Sequence, residues 1–237
     1  MTQRTHPAGP ISYRWRWLFV LVASGSWLSL GCSPQSLSLF LLPFVDTKEQ
    51  PEYKLFAADK ELTLAVLSNF AEKQFQPEYL PADNELADHV SNALRKRCQE
   101  NKHVLKIVPQ AEVRSYQLKQ LSEGGLSPLE VGKKFKADYV LDMTIETFTL
   151  YQKDSFPKMY EGSSRIKMNL YHVKAKDDDK LVWNKLVTTK YSGSRAIPIE
   201  VGNSNPTDFR QMYMRRLGRD ISRLLIAFPA DELKEWD

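Results

Sequence analysis

The chain has 237 residues, of which 42% are apolar and 26% are charged, as in a soluble globular protein. This composition excludes a polytopic membrane protein, a coiled coil and a disordered polyelectrolyte, and two cysteines cannot form a disulfide scaffold. The formal net charge is +4, but removing the three arginines of the first 31 residues leaves 30 basic against 29 acidic side chains. Charge therefore gives no reason to expect a nucleic-acid partner.

The N-terminus has the pattern of a secretory signal. Residues 1–16 carry three arginines and no acidic residue, and residues 17–30 (WLFVLVASGSWLSL) are largely apolar but shorter than the roughly 20 residues of a spanning helix. The ending LSLGC (28–32) resembles a bacterial lipobox, which predicts a signal peptide over 1–31 and a lipid on Cys32. Ser29 stands where a lipobox usually has leucine, so an uncleaved signal anchor and an inert apolar N-terminus stay open.

The segments on either side of the predicted domain are expected to lie outside the fold. Residues 32–60 are interpreted as a tether and residues 229–237 as a C-terminal tail. If Cys32 is acylated, Cys98 is the remaining thiol. Its basic neighbours at 95–97 would lower its pKa, but its position four residues after Leu94 favours a buried core residue.

The domain is predicted to span residues 61–228 and to begin with a strand buried on both faces, because Leu62–Leu67 is a nearly continuous apolar run. A helix follows from Asp83 to about Asn101. Its apolar residues recur at helical spacing: Leu86, Val90, Ala93, Leu94 and Cys98. The run Val104–Val108 predicts a second strand, and residues 110–121 are weakly helical. Ser127, followed by Pro128, predicts the start of a short helix that ends near residue 136.

Three strands and a helix are predicted for the second half of the domain. Residues 137–151 alternate apolar and polar side chains, and the alternation flips after Thr147, which predicts a β-bulge. Strands over about 159–174 and 181–191 follow, and Trp183 in the latter is expected to be buried beside the sheet. The last helix begins at 203–206 and ends before Pro229. Its apolar stripe comprises Phe209, Met212, Tyr213, Leu217, Ile221, Leu224, Leu225 and Phe228.

The resulting order β-α-β-α-β-β-β-α predicts a single α/β domain of two or three layers. Its mixed sheet would have about five strands, with three to four helices on one face or both.

Four segments together resemble a known envelope module. They are the run Leu62–Phe70, the helix over 84–97, the strand ending at Val108-Pro109, and above all residues 131–141 (VGKKFKADYVL). The module occurs in the N-terminal domain of TolB, in the curli secretion lipoprotein CsgG, and in the lipoprotein activators of penicillin-binding proteins. The resemblance covers roughly residues 61–193 and includes two late antiparallel strands, the second of which begins with Leu181-Val-Trp183.

This resemblance implies a TolB-N-terminal-like fold in a lipoprotein of the cell envelope. The sequence departs from two members of this family, so neither the barrel of the one nor the propeller of the other is expected here. The segment before Met159 is too short for the long inserts that build the CsgG barrel, and no propeller follows the domain as in TolB. The layout is most similar to the activator type.

The last helix carries the one candidate binding surface that the sequence predicts. Arg215, Arg219 and Arg223 recur every four residues, with Arg216 beside them, and are predicted to face away from the apolar stripe of the last helix. They are either a solvated face or a contact for an anionic headgroup, glycan or partner protein. Asp142 and Glu146 share one face of a strand. They are either an acid pair or simply the polar surface of that strand. No catalytic residue, metal site or cofactor is predicted.

The sequence therefore predicts a lipid-anchored protein on the periplasmic side of the bacterial envelope, with the outer membrane favoured over the inner. Its domain is expected to bind another envelope component without catalysis, and a homo-oligomer is possible. Two alternatives stay open: a subunit of an oligomeric export assembly, and an enzyme that acts on cell-wall material.

Overall fold

The computed structural model describes residues 48–56, 61–71, 81–123, 127–154, 159–176, 180–192, 199–200 and 205–233. The strands are β1 (Lys48–Glu49), β2 (Leu62–Phe70), β3 (Leu105–Ile107), β4 (Tyr139–Tyr151), β5 (Met159–His172), β6 (Leu181–Tyr191), β7 (Ile199–Glu200) and β8 (Phe228–Pro229). The helices are α1 (Ala82–Glu100), α2 (Gln110–Glu123), α3 (Pro128–Lys134) and α4 (Pro206–Leu225), followed by a 3-10 turn over Ala230–Leu233. No helix in these ranges is both long enough and apolar enough to cross a bilayer.

The main sheet has the strand order β3-β2-β4-β5-β6, and the short strand β7 pairs with β5 at one end. Strand β2 is parallel to both β3 and β4, whereas β4, β5 and β6 form an antiparallel meander. Helices connect the parallel strands because such a connection must return along the sheet before it can pair again. The mixed sheet and the single α/β domain predicted from the sequence are confirmed.

Helices cover both faces of the parallel part of the sheet, which makes three layers. Helices α1 and α4 pack on one face, where Val90 and Leu217 meet Leu141 and Ile166 in the larger core. Helices α2 and α3 cover the other face, where Val113 and Val131 meet the strand residues Ala65, Leu67 and Val140. Strand β2 is consequently buried on both faces, as its continuous apolar run predicts.

The predicted bulge in the long strand is confirmed. The pairing of β4 with β5 shifts between Ile145 and Thr147, so one residue is inserted opposite its partner strand. Because of this insertion, Phe148 and Leu150 point to the same core as Ile145.

The predicted domain boundaries are wrong at both ends. Strand β1 pairs with β8 antiparallel, and Leu55, placed in the expected tether, is 2% exposed. The backbone N–H groups of Tyr53 and Leu55 donate to carbonyls of α4 at 2.9 and 3.4 Å. Residues 48–56 and 229–233 therefore belong to the domain, whereas the signal and Cys32 lie outside the described residues.

Trp183 is only partly buried, contrary to the expectation from the sequence. Strand β6 is the last strand of the sheet path, so Trp183 has a neighbouring strand on one side, where it lies opposite Leu170 of β5. Its indole packs against the core and against Tyr53, with ring centroids 6.3 Å apart.

Trp183→Ala is therefore expected to lower the free energy of unfolding by about 1–2 kcal/mol, less than the 3–5 kcal/mol typical of a fully buried tryptophan. Urea unfolding of the two proteins measures the difference. Leu186→Ala on the same strand, at a side chain 42% exposed, is the control and should change stability by less than about 0.5 kcal/mol. A loss above 3 kcal/mol for Trp183→Ala would contradict the edge position.

Candidate functional site

The structure separates the four arginines predicted to form one surface. Arg215 is exposed, Arg216 and Arg219 are half-buried, and the side chain of Arg223 is only 13% exposed. The prediction that all four face outward is wrong for Arg223. The chain turns back after α4, and the segment Phe228–Leu233 packs over the last turn of this helix.

A fifth arginine, which no sequence pattern marks as a site residue, lies at the centre of the site. Arg97 of α1 is 4% exposed, and its Nε donates to Ser222 Oγ of α4 at 2.6 Å. Its Nη2 donates to Glu232 Oε2 at 2.6 Å, and Arg223 Nη2 reaches the same oxygen at 3.3 Å. Glu232 thus joins α1, α4 and the C-terminal turn through one carboxylate, which we call the Glu232 clamp.

An aromatic ring supports the clamp. The guanidinium carbons of Arg97 and Arg223 lie 5.4 and 5.2 Å from the ring centroid of Phe228, within the range of a cation–π contact. Arg223 Nη1 also bonds Asp220 at 3.2 Å, and Arg216 lies 5.0 Å above the ring of Tyr191. Arg216 and Arg223 are therefore held by groups of their own domain.

The pKa values of Glu232 and Asp220 shift in opposite directions in these surroundings. Partial burial opposes ionisation of Glu232, but the hydrogen bonds and charges of Arg97 and Arg223 outweigh it and lower its pKa. Burial dominates at Asp220 and raises its pKa, although Arg223, Arg216 and Arg219 counteract it. Glu232 is consequently ionised at neutral pH.

A cavity of 230 Å³ opens beside the clamp, between α1 and α4. It is lined by Ala93, Lys96, Arg97, Glu100, Arg219 and Glu232. The lining thus has three basic and two acidic side chains, and Glu232 already pairs with Arg97. Lys96, 79% exposed, pairs with Glu100 at 3.8 Å. The lining as a whole has one more basic than acidic side chain, which favours a carboxylate or phosphate group.

Other residues weighed in the sequence have structural roles. Cys98 is 2% exposed, and burial raises its pKa to about 12, which confirms a core thiol and reverses the shift expected from its basic neighbours. Burial also raises the pKa of Asp142, although a hydrogen bond with Asn169 counteracts this. Glu146 pairs with Arg165 at 2.9 Å, so each of the two carboxylates has its own partner on this sheet face.

Comparison with known proteins finds no matching family model and no matching curated protein. Solved structures are matched at low identity. The PelC dodecamer from Paraburkholderia phytofirmans is 16% identical with a TM-score of 0.39, covering 76% of this chain and 96% of that chain. Lipoprotein GNA1162 from Neisseria meningitidis is 12% identical with a TM-score of 0.41, covering 68% and 98%. The LpoB C-terminal domain from Escherichia coli is 15% identical with a TM-score of 0.32, covering 56% and 86%.

Proposed function

We propose that this protein is a lipid-anchored adaptor of the bacterial cell envelope, which binds an acidic partner protein without catalysing a reaction. The signal-like N-terminus with Cys32 supports the anchor. The excess of basic side chains around the cavity beside the Glu232 clamp, together with exposed Arg215, supports the anionic contact. Arg97 and Arg223 are assigned to the Glu232 clamp and hold this surface in shape.

One observation carries the proposal: the chain enters the domain beside the basic surface. Strand β1 pairs Glu49 with Phe228, the residue that lies between the two clamp arginines. Lys48 Nζ bonds Asn101 at the end of α1 at 3.0 Å. The segment that leads from the predicted anchor is thus fixed at the end of the molecule that also contains the clamp.

The distance to the membrane follows from the length of the intervening chain. Sixteen residue steps separate Cys32 from Lys48, and a fully extended chain spans at most about 55 Å over that length. An anchored domain would therefore keep its basic surface close enough to contact a partner at the same membrane.

Replacing Cys32 by alanine tests the anchor. Two acyl chains on one cysteine give stable attachment, whereas an unmodified chain has none. The Cys32→Ala protein should therefore be lost from the membrane fraction, or it should retain its signal uncleaved. Fractionation and intact-mass measurement distinguish these results. Cys98→Ala, which changes the buried thiol, should leave fractionation unchanged. A wild-type protein that begins elsewhere and carries no lipid would contradict the proposal.

The contact is tested by Arg215→Gln with Arg219→Gln. The double variant leaves Arg223, and with it the clamp, intact. It should fold normally, because Arg215 is exposed, Arg219 is only half-buried, and ion pairs near the surface contribute about 0–1 kcal/mol each to stability. Recovery of envelope partners after cross-linking should fall several-fold, and wild-type recovery should fall with added salt. Arg165→Gln, at a side chain 53% exposed on β5, is the control and should bind like the wild type.

The identity of the recovered partners separates the functional classes. Enzymes of wall synthesis would support an activator-type adaptor, whereas export components would support a subunit of an export assembly. Recovery that is insensitive to salt and to the double variant would contradict the basic surface. Hydrolysis of wall material by the purified protein would contradict the non-catalytic role.

A further inference from the structure

Exposed lysines collect at one end of the domain. Strand β2 is parallel to β3 and β4, and β5 is antiparallel to β4, so the first three strands begin where β5 ends. Six exposed lysines, which we call the lysine end, lie in or beside these strand ends: Lys102, Lys106, Lys133, Lys134, Lys136 and Lys176. Within the described part of the chain, none of the six forms an ion pair.

Nearby acidic side chains cancel only part of this charge. Asp138 pairs with Lys174 at 2.6 Å, whereas Glu61, at the start of β2, is exposed. Residues 177–179 (DDD) follow the lysine end in the sequence and lie outside the described residues. Helices α1 and α4 begin at the opposite end of the domain, and their first turns carry three acidic residues. The charge therefore changes from acidic to basic along the strand direction.

Two of the six lysines occupy backbone positions that disfavour them. Lys102 follows α1 and Lys136 follows α3, with φ angles of 58° and 52°. In this left-handed region the Cβ crowds the following carbonyl, so glycine is the usual residue after a helix. A solvated surface does not require lysine at such a position. That both lysines lie at the same end of the domain is a reason to assign their side chains a function.

Exposed apolar side chains lie among the lysines. Val104 is 59% exposed, and its carbonyl accepts from the Leu62 N–H at 3.1 Å, which places it beside the start of β2. Leu181, which begins β6 opposite Tyr171 near the end of β5, is 46% exposed. Positive charge around exposed apolar groups is the composition of protein surfaces that lie on anionic bilayers.

The first described residues also lie at this end. Lys48 Nζ bonds Asn101, the neighbour of Lys102, and Phe56 stacks on His103 with ring centroids 4.4 Å apart. The chain from the predicted anchor therefore enters the domain among the lysines. A tether of sixteen residue steps gives an effective concentration on the order of millimolar at its own membrane, so a weak contact is enough to orient the domain.

We infer that the lysine end docks on the anionic surface of the bilayer that holds the anchor. The ammonium groups would contact lipid phosphates, and Val104 and Leu181 would lie at the headgroup level. All six cations are lysines, which are flexible point charges suited to mobile headgroups, whereas the planar fork of arginine suits a fixed carboxylate. The choice of membrane rests on the anchor of the proposed function, but the contact with anionic lipid does not.

Site-specific fluorescence of the full chain tests the docking. The protein is reconstituted in vesicles of phosphatidylcholine, with or without an equal part of phosphatidylglycerol, that contain a headgroup quencher. The fluorophore is attached at Val104→Cys or, as the control, at Met212→Cys, which is 40% exposed in the second turn of α4. Cys98 is buried and its pKa is raised to about 12, so it reacts little. The chain without an added cysteine corrects for labelling at Cys32.

We expect the label at residue 104 to be quenched several-fold more than the label at residue 212 in vesicles with phosphatidylglycerol. The difference should disappear in phosphatidylcholine alone and at high salt. Equal quenching at the two sites, as for an end that binds an acidic protein instead, overturns the inference, and so does a difference that persists without anionic lipid. The result does not depend on how the chain is attached, so it is independent of the Cys32→Ala test.

Glycine variants separate docking from folding. Lys102→Gly with Lys136→Gly removes two charges and relieves two left-handed positions. The melting temperature should be unchanged or higher, while quenching at residue 104 should fall several-fold. Asp154→Gly is the matched control, because Asp154 has a φ of 57° and follows β4 at the opposite end. It should keep or raise the melting temperature in the same way and leave quenching undiminished.

A second pair of substitutions leaves the backbone alone. Lys133 and Lys134 are exposed in the last turn of α3, and changing both to glutamine should also reduce quenching at residue 104 several-fold. Lys153→Gln with Lys190→Gln, at two exposed lysines of the opposite end, should leave it unchanged. Full quenching in both lysine-end variants overturns the inference.

Discussion

Replacing Arg97 by alanine is expected to lower the free energy of unfolding by about 3–5 kcal/mol, as for other buried ion pairs that lose one partner. The variant leaves Ser222 Oγ without its donor and removes the 2.6 Å bond to Glu232. It also removes one of the two guanidinium groups beside Phe228. The C-terminal turn and β8, with the β1 segment paired to it, should therefore loosen together.

Denaturant unfolding and amide hydrogen exchange over residues 48–56 and 227–233 measure these effects. Arg95→Ala is the control, because Arg95 lies on the same helix, is exposed and bonds Asn92 within it. It should change stability by less than about 0.5 kcal/mol. If Arg97→Ala lowered the free energy of unfolding by as little as Arg95→Ala does, the Glu232 clamp would contribute nothing to the fold.

The same variant should change the acid dependence of stability. The pKa of Glu232 is lowered from its ordinary 4.5 in the folded protein, so its stabilisation is present above that pH and is lost as the pH falls through the lowered value. Without Arg97 the main cause of the lowering disappears, and this part of the acid-induced loss should shrink. If the acid transition of Arg97→Ala were unchanged, the loss of stability at low pH would come from other carboxyl groups.

The sequence predicted the elements whose signals are local. The period of α4, the alternation of β4 and its bulge, and the bounds of β6 depend on residues close together in the chain. Arg97 is not among the predicted site residues, but it lies three residues after Leu94 and seven after Val90, on the buried stripe of α1. That spacing is a usable signal, but the identity of its partner, Glu232, depends on the return of the chain after α4.

Non-local contacts explain the other features that could not be predicted from the sequence. Strands β1 and β8 have two residues each, too few to show a period, so their pairing could not be predicted. The role of Gly162 is equally hidden. A Cβ at this position would lie 2.6 Å from the ring of Tyr213, so β5 requires glycine only because α4 packs there.

Phe209→Ala is expected to destabilise the domain by about 3–5 kcal/mol, because it removes a completely buried ring from the contact between α4 and the sheet. The ring centroid of Phe209 lies 4.9 Å from that of Tyr160 and 5.8 Å from that of Tyr191, so both neighbours lose a stacking partner. Since α4 also presents the arginines, partner binding should weaken at temperatures where the variant is partly unfolded and recover on cooling.

Met212→Ala is the matched control, because the same apolar stripe included Met212 in the sequence but the structure leaves it 40% exposed. It should change stability by less than about 0.5 kcal/mol, which calorimetric and urea unfolding of both variants can measure. Similar losses for the two variants would mean that α4 is rotated from its described orientation. In that case Arg219 would no longer line the cavity beside the Glu232 clamp, and the adaptor proposal would lose its geometric support.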